Sequence, residues 1–156
     1  MPDPRRWRPA ALAPALAGLL ASAYLTVEHF TASVTLACPD TGAINCTKVT
    51  TSSYSHVLGV PVALIGLGYF VVMSVLVSPP AWQHAALRPI RLPAAGVGVA
   101  SVIYLIWVEL FRLEAICLWC TAVHVSTVAL FGAVVWYSLE RTEPPARERV
   151  RQRAGR

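Results

Sequence analysis

Residues 115–139 read AICLWCTAVHVSTVALFGAVVWYSL, twenty-five positions without a formally charged side chain. A helix needs about 20 mostly apolar residues to cross the hydrocarbon core of a bilayer. The run meets that length, and it begins with two cysteines, Cys117 and Cys120, that are separated by two residues. One stretch therefore predicts a transmembrane helix with a pair of thiols in its first turn.

Three further charge-free runs predict three more helices. They cover residues 10–27, 57–87 and 92–108. The second run is too long for one span, and Pro79 and Pro80 divide it because proline lacks the N–H that a helix requires. We predict helices at residues 10–29, 57–77, 92–111 and 115–139, with an outer loop at 30–56, a basic N-terminus at 1–9 and a basic tail at 140–156.

The composition of the 156 residues agrees with a membrane protein. Hydrophobic residues make up 56% and charged residues 13%, against about 45–50% and about 25% in soluble domains. Too few charges remain to cover a soluble surface, and the hydrophobicity excludes a disordered chain. We therefore predict an all-α integral membrane protein whose membrane domain covers residues 10–139.

The net charge of +5 predicts topology rather than nucleic-acid binding. In a four-helix arrangement only two basic residues, Lys48 and Arg112, lie on one side of the membrane, and all the others lie on the opposite side. By the positive-inside rule both termini are then cytoplasmic, in a cell membrane that the chain crosses several times. The basic residues of the inner side are Arg5, Arg6, Arg8, Arg88, Arg91, Arg141, Arg147, Arg149, Arg151, Arg153 and Arg156.

The first apolar run has an alternative interpretation as a cleaved signal peptide. It follows basic residues and contains Ala21-Ser22-Ala23, which fits the small-residue cleavage pattern. The run continues past that point to Val27, which favours an uncleaved helix. Cleavage would leave the following loop on the same outer side.

All four cysteines, Cys38, Cys46, Cys117 and Cys120, fall on the predicted outer side, where disulfides are permitted. Four cysteines allow three pairings, among them the local one and one that links Cys46 to Cys117. The positive end of a helix favours a thiolate, which is the species that attacks disulfides. Two pairs on one side suggest that electrons pass from one pair to the other, with a quinone as the natural acceptor in a bilayer.

The loop motifs then identify a family. Residues 38–49 read CPDTGAINCTKV, Ser52 follows six positions after the second cysteine, and Gly59-Val60-Pro61 leads into the second helix. Together with the C-x-x-C motif at the start of the last helix, this pattern resembles the vitamin K epoxide reductase family, in particular its bacterial members. The resemblance implies a four-transmembrane-helix bundle in which the outer loop and a short helix cap a quinone pocket.

The resemblance also implies a role for each residue of the site. Cys120 would reduce the quinone, and Cys117 would exchange with the loop pair, most directly with Cys46. Cys38 would meet the substrate protein, and Ser52 would hold the loop over the pocket.

The implied activity is that of a membrane thiol:quinone oxidoreductase. It would reoxidise a separate thioredoxin-fold (DsbA-like) carrier and pass the electrons to menaquinone or ubiquinone, without a metal. The carrier would in turn introduce disulfides into exported proteins.

Two further positions concern the quinone itself. Animal relatives bind the vitamin K ring with an Asn in helix 2 and a Tyr four residues after the C-x-x-C motif, and these positions are Val62 and His124 here. We expect His124 to contact the quinone from one turn beyond Cys120, and Trp119 to form a wall of the same site. These replacements lose one of the two hydrogen-bond donors to the vitamin K ring, which predicts weak reduction of vitamin K epoxide.

Two hypotheses from other classes remain open. The cysteines could form two disulfides that staple outer loops of a structural membrane protein without turnover. A zinc site made of all four cysteines is disfavoured, because seven residues separate Cys38 from Cys46. The nearby charged residues Glu109, Arg112 and Glu114 are expected to form a solvated cluster in the outer turn.

Overall fold

A computed structural model of the chain describes residues 4–31, 38 and 41–142, and within these ranges the fold is a bundle of helices with one small hairpin. A 3₁₀ turn follows α2, two more join α3 to α4, and a π-helical segment follows α4. The elements are α1 (Pro4–Thr31), α2 (Cys46–Thr50), β1 (His56–Val57), β2 (Val60–Pro61), α3 (Val62–Leu76), α4 (Arg88–Val108) and α5 (Leu118–Thr142).

Three helical stretches of the described chain are long and apolar enough to cross a membrane. They are Ala10–Thr31, Ala85–Leu113 and Leu118–Leu139, which supports a membrane protein. The helix α3 has 15 residues, which corresponds to about 22 Å at 1.5 Å per residue, less than the roughly 30 Å hydrocarbon core. The predicted four-span bundle therefore stays a prediction.

The bundle is centred on α1, which packs against both α3 and α5, while α4 packs against α5. Small residues permit these close approaches. A Cβ atom at Gly18 would overlap the Phe70 ring, and one at Gly98 would overlap the Tyr69 hydroxyl group. A core of buried side chains lies between α1, α3, α4 and α5, and in it Phe70, Met73, Leu130 and Val134 are fully buried.

The second helix begins at Val62, so the predicted start at residue 57 is wrong. Residues 56–61 form the hairpin, in which Val57 pairs with Val60. Leu58 and Gly59 both have positive φ, 52° and 82°, as the central residues of the common two-residue hairpin turn do. An apolar run alone does not distinguish such a hairpin from a helix.

The remaining helices are longer at their predicted cytoplasmic ends than the sequence predicted. The helix α1 begins at Pro4 rather than at residue 10, and α5 ends at Thr142 rather than at 139. The helix α4 begins at Arg88 rather than at residue 92. Charged residues can continue a helix beyond the bilayer, so a charge-free run marks the membrane segment and not the whole helix.

Arg91 lies inside α4 and is buried, although the sequence placed it in an inner loop. Its Nε donates a hydrogen bond to the carbonyl of Leu76 at 2.8 Å, and its Nη2 donates to the carbonyl of Ala81. The guanidinium also lies 4.2 Å from the centre of the Trp82 ring. Arg91 thus ties α4 to the link that follows α3.

The last helix begins at Leu118, three residues after its predicted start at 115. The π-helical segment Glu109–Leu113 continues α4, and Glu114 then turns the chain with a φ of 48°. Residues 115–117 are extended, and Ile116 pairs in parallel with Ile44 of the outer loop. This pairing uses the backbone of residues that would otherwise form the first turn of the helix.

Residues 1–3, 32–37, 39–40 and 143–156 lie outside the described ranges. Most of the predicted basic tail and part of the predicted outer loop fall there.

Candidate functional site

The outer loop is attached to the residues that precede α5. The N–H of Asn45 donates to the carbonyl of Ile116 at 3.1 Å, and the N–H of Ile116 donates to the carbonyl of Ala43 at 2.8 Å. Two hydrogen bonds in strand-like pairing fix the register between the two segments. Cys46, the first residue of α2, is thereby held beside Cys117.

The helix α2 that carries Cys46 is only five residues long, so it depends on its cap and its packing. The side-chain oxygen of Asn45 accepts a hydrogen bond from the N–H of Lys48 at 2.7 Å and caps the helix. At the other end, the hydroxyl of Ser52 donates to the carbonyl of Val49 at 2.8 Å. Ser52 therefore holds the end of the short helix.

The structure brings the four cysteines together in one apolar cluster. Cys38 and Cys46 form a disulfide, whereas Cys117 and Cys120 are free thiols. Cys46 and Cys117 are buried in the cluster, and Cys38 and Cys120 pack against it half-buried. Of the pairings that the sequence left open, the described state contains the local loop disulfide and does not contain the link from Cys46 to Cys117.

Cys117 occupies the N-cap position of α5. Its carbonyl accepts the N–H of Thr121 at 2.8 Å, which is the first bond of the helix. Its sulfur accepts the N–H of Cys120 at 3.3 Å, in the place where Ser or Asp normally caps a helix. The C-x-x-C spacing therefore equals the spacing from the N-cap to the third helical residue.

This position makes Cys117 the more acidic thiol. A hydrogen bond from the Cys120 thiol lowers the pKa of Cys117 below that of an ordinary thiol. The backbone N–H groups of Cys120 and Trp119 lower the pKa further, while burial and the charge of Glu109 oppose the shift. The Cys117 sulfur is thus held more readily as a thiolate, the form that attacks or leaves in disulfide exchange.

A cavity of about 250 Å³ lies beside Cys120, between α1, α3, α4 and α5. The volume lies near the lower end of the roughly 300–1,000 Å³ range of small-molecule sites. Apolar atoms form most of the surface of its wall, and polar side chains are interspersed among them. Ser52, Cys120 and His124 of the predicted site residues line it.

Trp119 takes a different position. Its ring packs on Tyr24 of α1 with 4.4 Å between ring centres, and it is not one of the described residues that line the cavity. The side chain of Trp119 packs against Tyr24 of α1, while Cys120 and His124 lie on the face of α5 that borders the cavity. A contact between Trp119 and a quinone remains a prediction that this packing does not favour.

A model of the vitamin K epoxide reductase family matches residues 9–135 of the chain. The chain belongs to the vitamin K epoxide reductase family. The match covers all four cysteines and all five helices, at least in part, and it confirms the resemblance of the loop motifs. No curated protein matches the chain.

Vitamin K epoxide reductases form an oxidoreductase family that uses quinones, and membership supports membrane thiol oxidoreductase activity. Among the residues that the structure describes, no three His, Cys, Asp or Glu side chains are grouped so that they could hold a metal ion.

Two side chains of the cavity were missed or misjudged in the sequence. Glu109 was expected to be solvated, but it is only 6% exposed and lines the cavity. Tyr69 also lines it, and its buried hydroxyl has no hydrogen-bond partner among the described residues. A carboxylate within an apolar run was the available signal for Glu109, whereas an aromatic residue in α3 carries no comparable signal.

Proposed function

We propose that the protein is a membrane thiol:quinone oxidoreductase that passes electrons from a thioredoxin-fold partner through two cysteine pairs to a quinone. The observation that supports this most directly is the apolar cluster that contains Cys46 and Cys117, with Cys120 at the edge of a cavity. A dithiol with one acidic sulfur and one sulfur beside an apolar cavity is suited to reduce a ring bound there.

The electron path follows the order of the sulfurs. The partner's dithiol exchanges with the Cys38–Cys46 disulfide, and Cys46 then attacks Cys117 of an oxidised Cys117–Cys120 pair. Cys38 resolves the resulting Cys46–Cys117 bond, which leaves the loop pair oxidised and the C-x-x-C pair reduced. The disulfide pairing in the structure corresponds to this last state, in which the dithiol is ready to reduce the quinone.

The cavity offers suitable groups for a quinone ring. Its wall is mostly apolar, and His124 is buried at it, one helical turn beyond Cys120. An imidazole in that position can donate a hydrogen bond to a quinone oxygen. Ser52 keeps the end of α2 over the cavity through its bond to Val49.

The site is proposed to face the outer side of the cell membrane, with both termini in the cytoplasm. The carrier would be a separate protein that receives its disulfide from the Cys38–Cys46 pair. A Cys46→Ala variant leaves the Cys38 thiol unpaired. We expect a membrane-impermeant thiol reagent to label it in intact cells, and labelling only after lysis would contradict this topology.

The main experiment follows quinone absorbance with the full chain in lipid. We add a reduced thioredoxin-fold protein and a short-chain quinone, and we expect reduction by the wild type and none by Cys120→Ala. Ala122→Ser is the matched control, because Ala122 is exposed on the same helix and does not line the cavity. Reduction of quinone by Cys120→Ala at the wild-type rate would refute the role of Cys120.

The same assay separates the enzyme from a structural protein with two stapling disulfides. A structural protein would give no turnover with any variant, and its cysteine substitutions would only lower stability. A mixed disulfide trapped through Cys38 in the Cys46→Ala variant would identify the carrier.

A further inference from the structure

Glu109 is a buried carboxylate at the end of α4, and its surroundings differ from those of an ordinary surface acid. It is the first residue of the π-helical segment Glu109–Leu113 and is 6% exposed. Glutamate is almost never this buried unless it is paired. Such π-helical insertions occur frequently at functional sites.

The partner of the Glu109 carboxylate belongs to the thiol site. The backbone N–H of Cys117 donates a hydrogen bond to it. Its charge acts on the Cys117 sulfur. Glu109 also shares the cavity wall with Cys120 and His124. One carboxyl group is therefore bonded to the backbone of Cys117 and shares the wall of the cavity with Cys120.

A structural ion pair does not account for this burial. The nearest cation along the chain, Arg112, donates from its Nε to the Tyr54 hydroxyl at 3.0 Å. Its guanidinium also lies over the rings of Tyr54 and Trp107, 5.9 Å and 5.8 Å from their centres. Within the described ranges Glu109 makes no ion pair, so its charge is not neutralised by a cation.

We propose that Glu109 is the proton carrier between the C-x-x-C thiols and the quinone. The inference rests on the proposed function. In the reaction Cys117 and Cys120 lose their two thiol hydrogens and form one S–S bond. Two electrons pass to the quinone, and its two oxygens each gain one proton. Glu109 accepts these protons one at a time from the sulfurs and releases them across the cavity, where His124 is the next group that can hold one.

The test replaces Glu109 by Gln, which keeps the shape and can still accept the N–H of Cys117 but cannot carry a proton. General acid–base catalysis contributes about 10²–10⁴-fold, so we expect quinone reduction to fall about 100-fold or more. The exchange of a reduced thioredoxin-fold protein with the Cys38–Cys46 disulfide should keep its rate. Glu114→Gln is the matched control, since it makes the same change at an exposed position of the same turn.

A second readout distinguishes proton transfer from a merely electrostatic effect. The titratable side chains that line the cavity with Glu109 are His29, Tyr54, Tyr69, Cys120 and His124. Cys117, Arg112, which is bonded to Tyr54, and the exposed Glu114 are the further charged or titratable groups of this turn. The charge of Glu109 raises the pKa of Cys117, so Glu109→Gln should move the appearance of thiolate absorbance to lower pH. We thus expect easier thiolate formation together with slower quinone reduction, and partial recovery of the rate in Glu109→Asp.

The outcomes are distinct. If the wild type reduces no quinone, the proposed function itself fails. If the wild type reduces quinone and Glu109→Gln does so at the same rate, the proton-carrier role is wrong. An equal loss of carrier exchange and quinone reduction, or a Glu109→Asp variant as slow as Glu109→Gln, would also overturn the role, because either result indicates a general disturbance of the site.

Discussion

The cap of α2 should control how readily Cys46 reaches Cys117. Asn45 caps this five-residue helix through its bond to the N–H of Lys48 at 2.7 Å. Replacing Asn45 with Ala removes that bond and keeps the backbone bond from residue 45 to Ile116. The short helix cannot form alone, so a weaker cap should release it, and Cys46 with it, from its position beside Cys117.

The magnitude follows from the lost cap. An N-cap Asn changed to Ala costs about 1 kcal/mol, with a range of about 0.5–2. A difference of 1.4 kcal/mol is tenfold in an equilibrium constant, so about 1 kcal/mol corresponds to roughly fivefold. We therefore expect the effective concentration of Cys46 at Cys117 to fall about fivefold in Asn45→Ala.

The assay isolates these two thiols. A Cys38→Ala/Cys120→Ala protein retains only Cys46 and Cys117. Its equilibrium with oxidised and reduced glutathione reports the effective concentration directly. Asn45→Ala is added to this background, with Thr47→Ala as the control because the Thr47 side chain is exposed in the same helix. An unchanged equilibrium in Asn45→Ala, or an equal change in Thr47→Ala, would refute the link between the cap and the approach of the thiols.

Two further predictions concern the thiol and the buried arginine. Because the hydrogen bond from Cys120 lowers the pKa of Cys117, the Cys117 thiolate should persist to lower pH than an ordinary thiolate and be lost only as the pH falls through that lowered pKa. Cys120→Ala should shift the thiolate absorbance of Cys117 to higher pH, and no shift would contradict this cause. Arg91→Met removes the donors to the carbonyls of Leu76 and Ala81. The Ala81 carbonyl keeps the N–H of His84, so one buried carbonyl loses its donor, and the free energy of unfolding should fall by about 1–3 kcal/mol. Arg91→Lys should recover part of it, and equal stability of all three proteins in a denaturation series would show that these bonds contribute nothing.

The helical elements were largely predictable because their signal is local. A long run without charged residues is unfavourable in water, so it predicts a helix in the membrane. Three of the four predicted helices contain a span of membrane length. The hairpin before α3 was missed because residues 57–61 are as apolar as the helix that follows them. The combination of Gly59 with Pro61 was the available signal, since a positive φ and a missing N–H both oppose a helix.

The site was predictable where spacing determines geometry and not where tertiary packing does. Cys120 and His124 are four residues apart, so any helix through both places them on one face, and both line the cavity. Trp119 was assigned to the same site, but its position depends on Tyr24 of α1, which spacing cannot reveal. Glu109 was misjudged because we expected a solvated outer turn there, whereas the helix continues and places Glu109 on the face that carries the buried Gly98 and Val102.

The position of Cys117 connects the fold to the proposed chemistry. A thiol at the N-cap is the last residue before the helix, so it can belong both to the extended segment that pairs with the outer loop and to the helix dipole. The pairing with the outer loop brings Cys46 to Cys117. The position at the positive end of the helix helps to stabilise the Cys117 thiolate, which attacks or leaves in disulfide exchange. Cys120, three residues on, is already inside the helix and faces the cavity. With one residue fewer between the cysteines, the second sulfur would turn about 100° away from the cavity, given 3.6 residues per turn. The two-residue spacing is therefore what allows one pair of sulfurs to contact a protein disulfide on one side and an apolar cavity on the other.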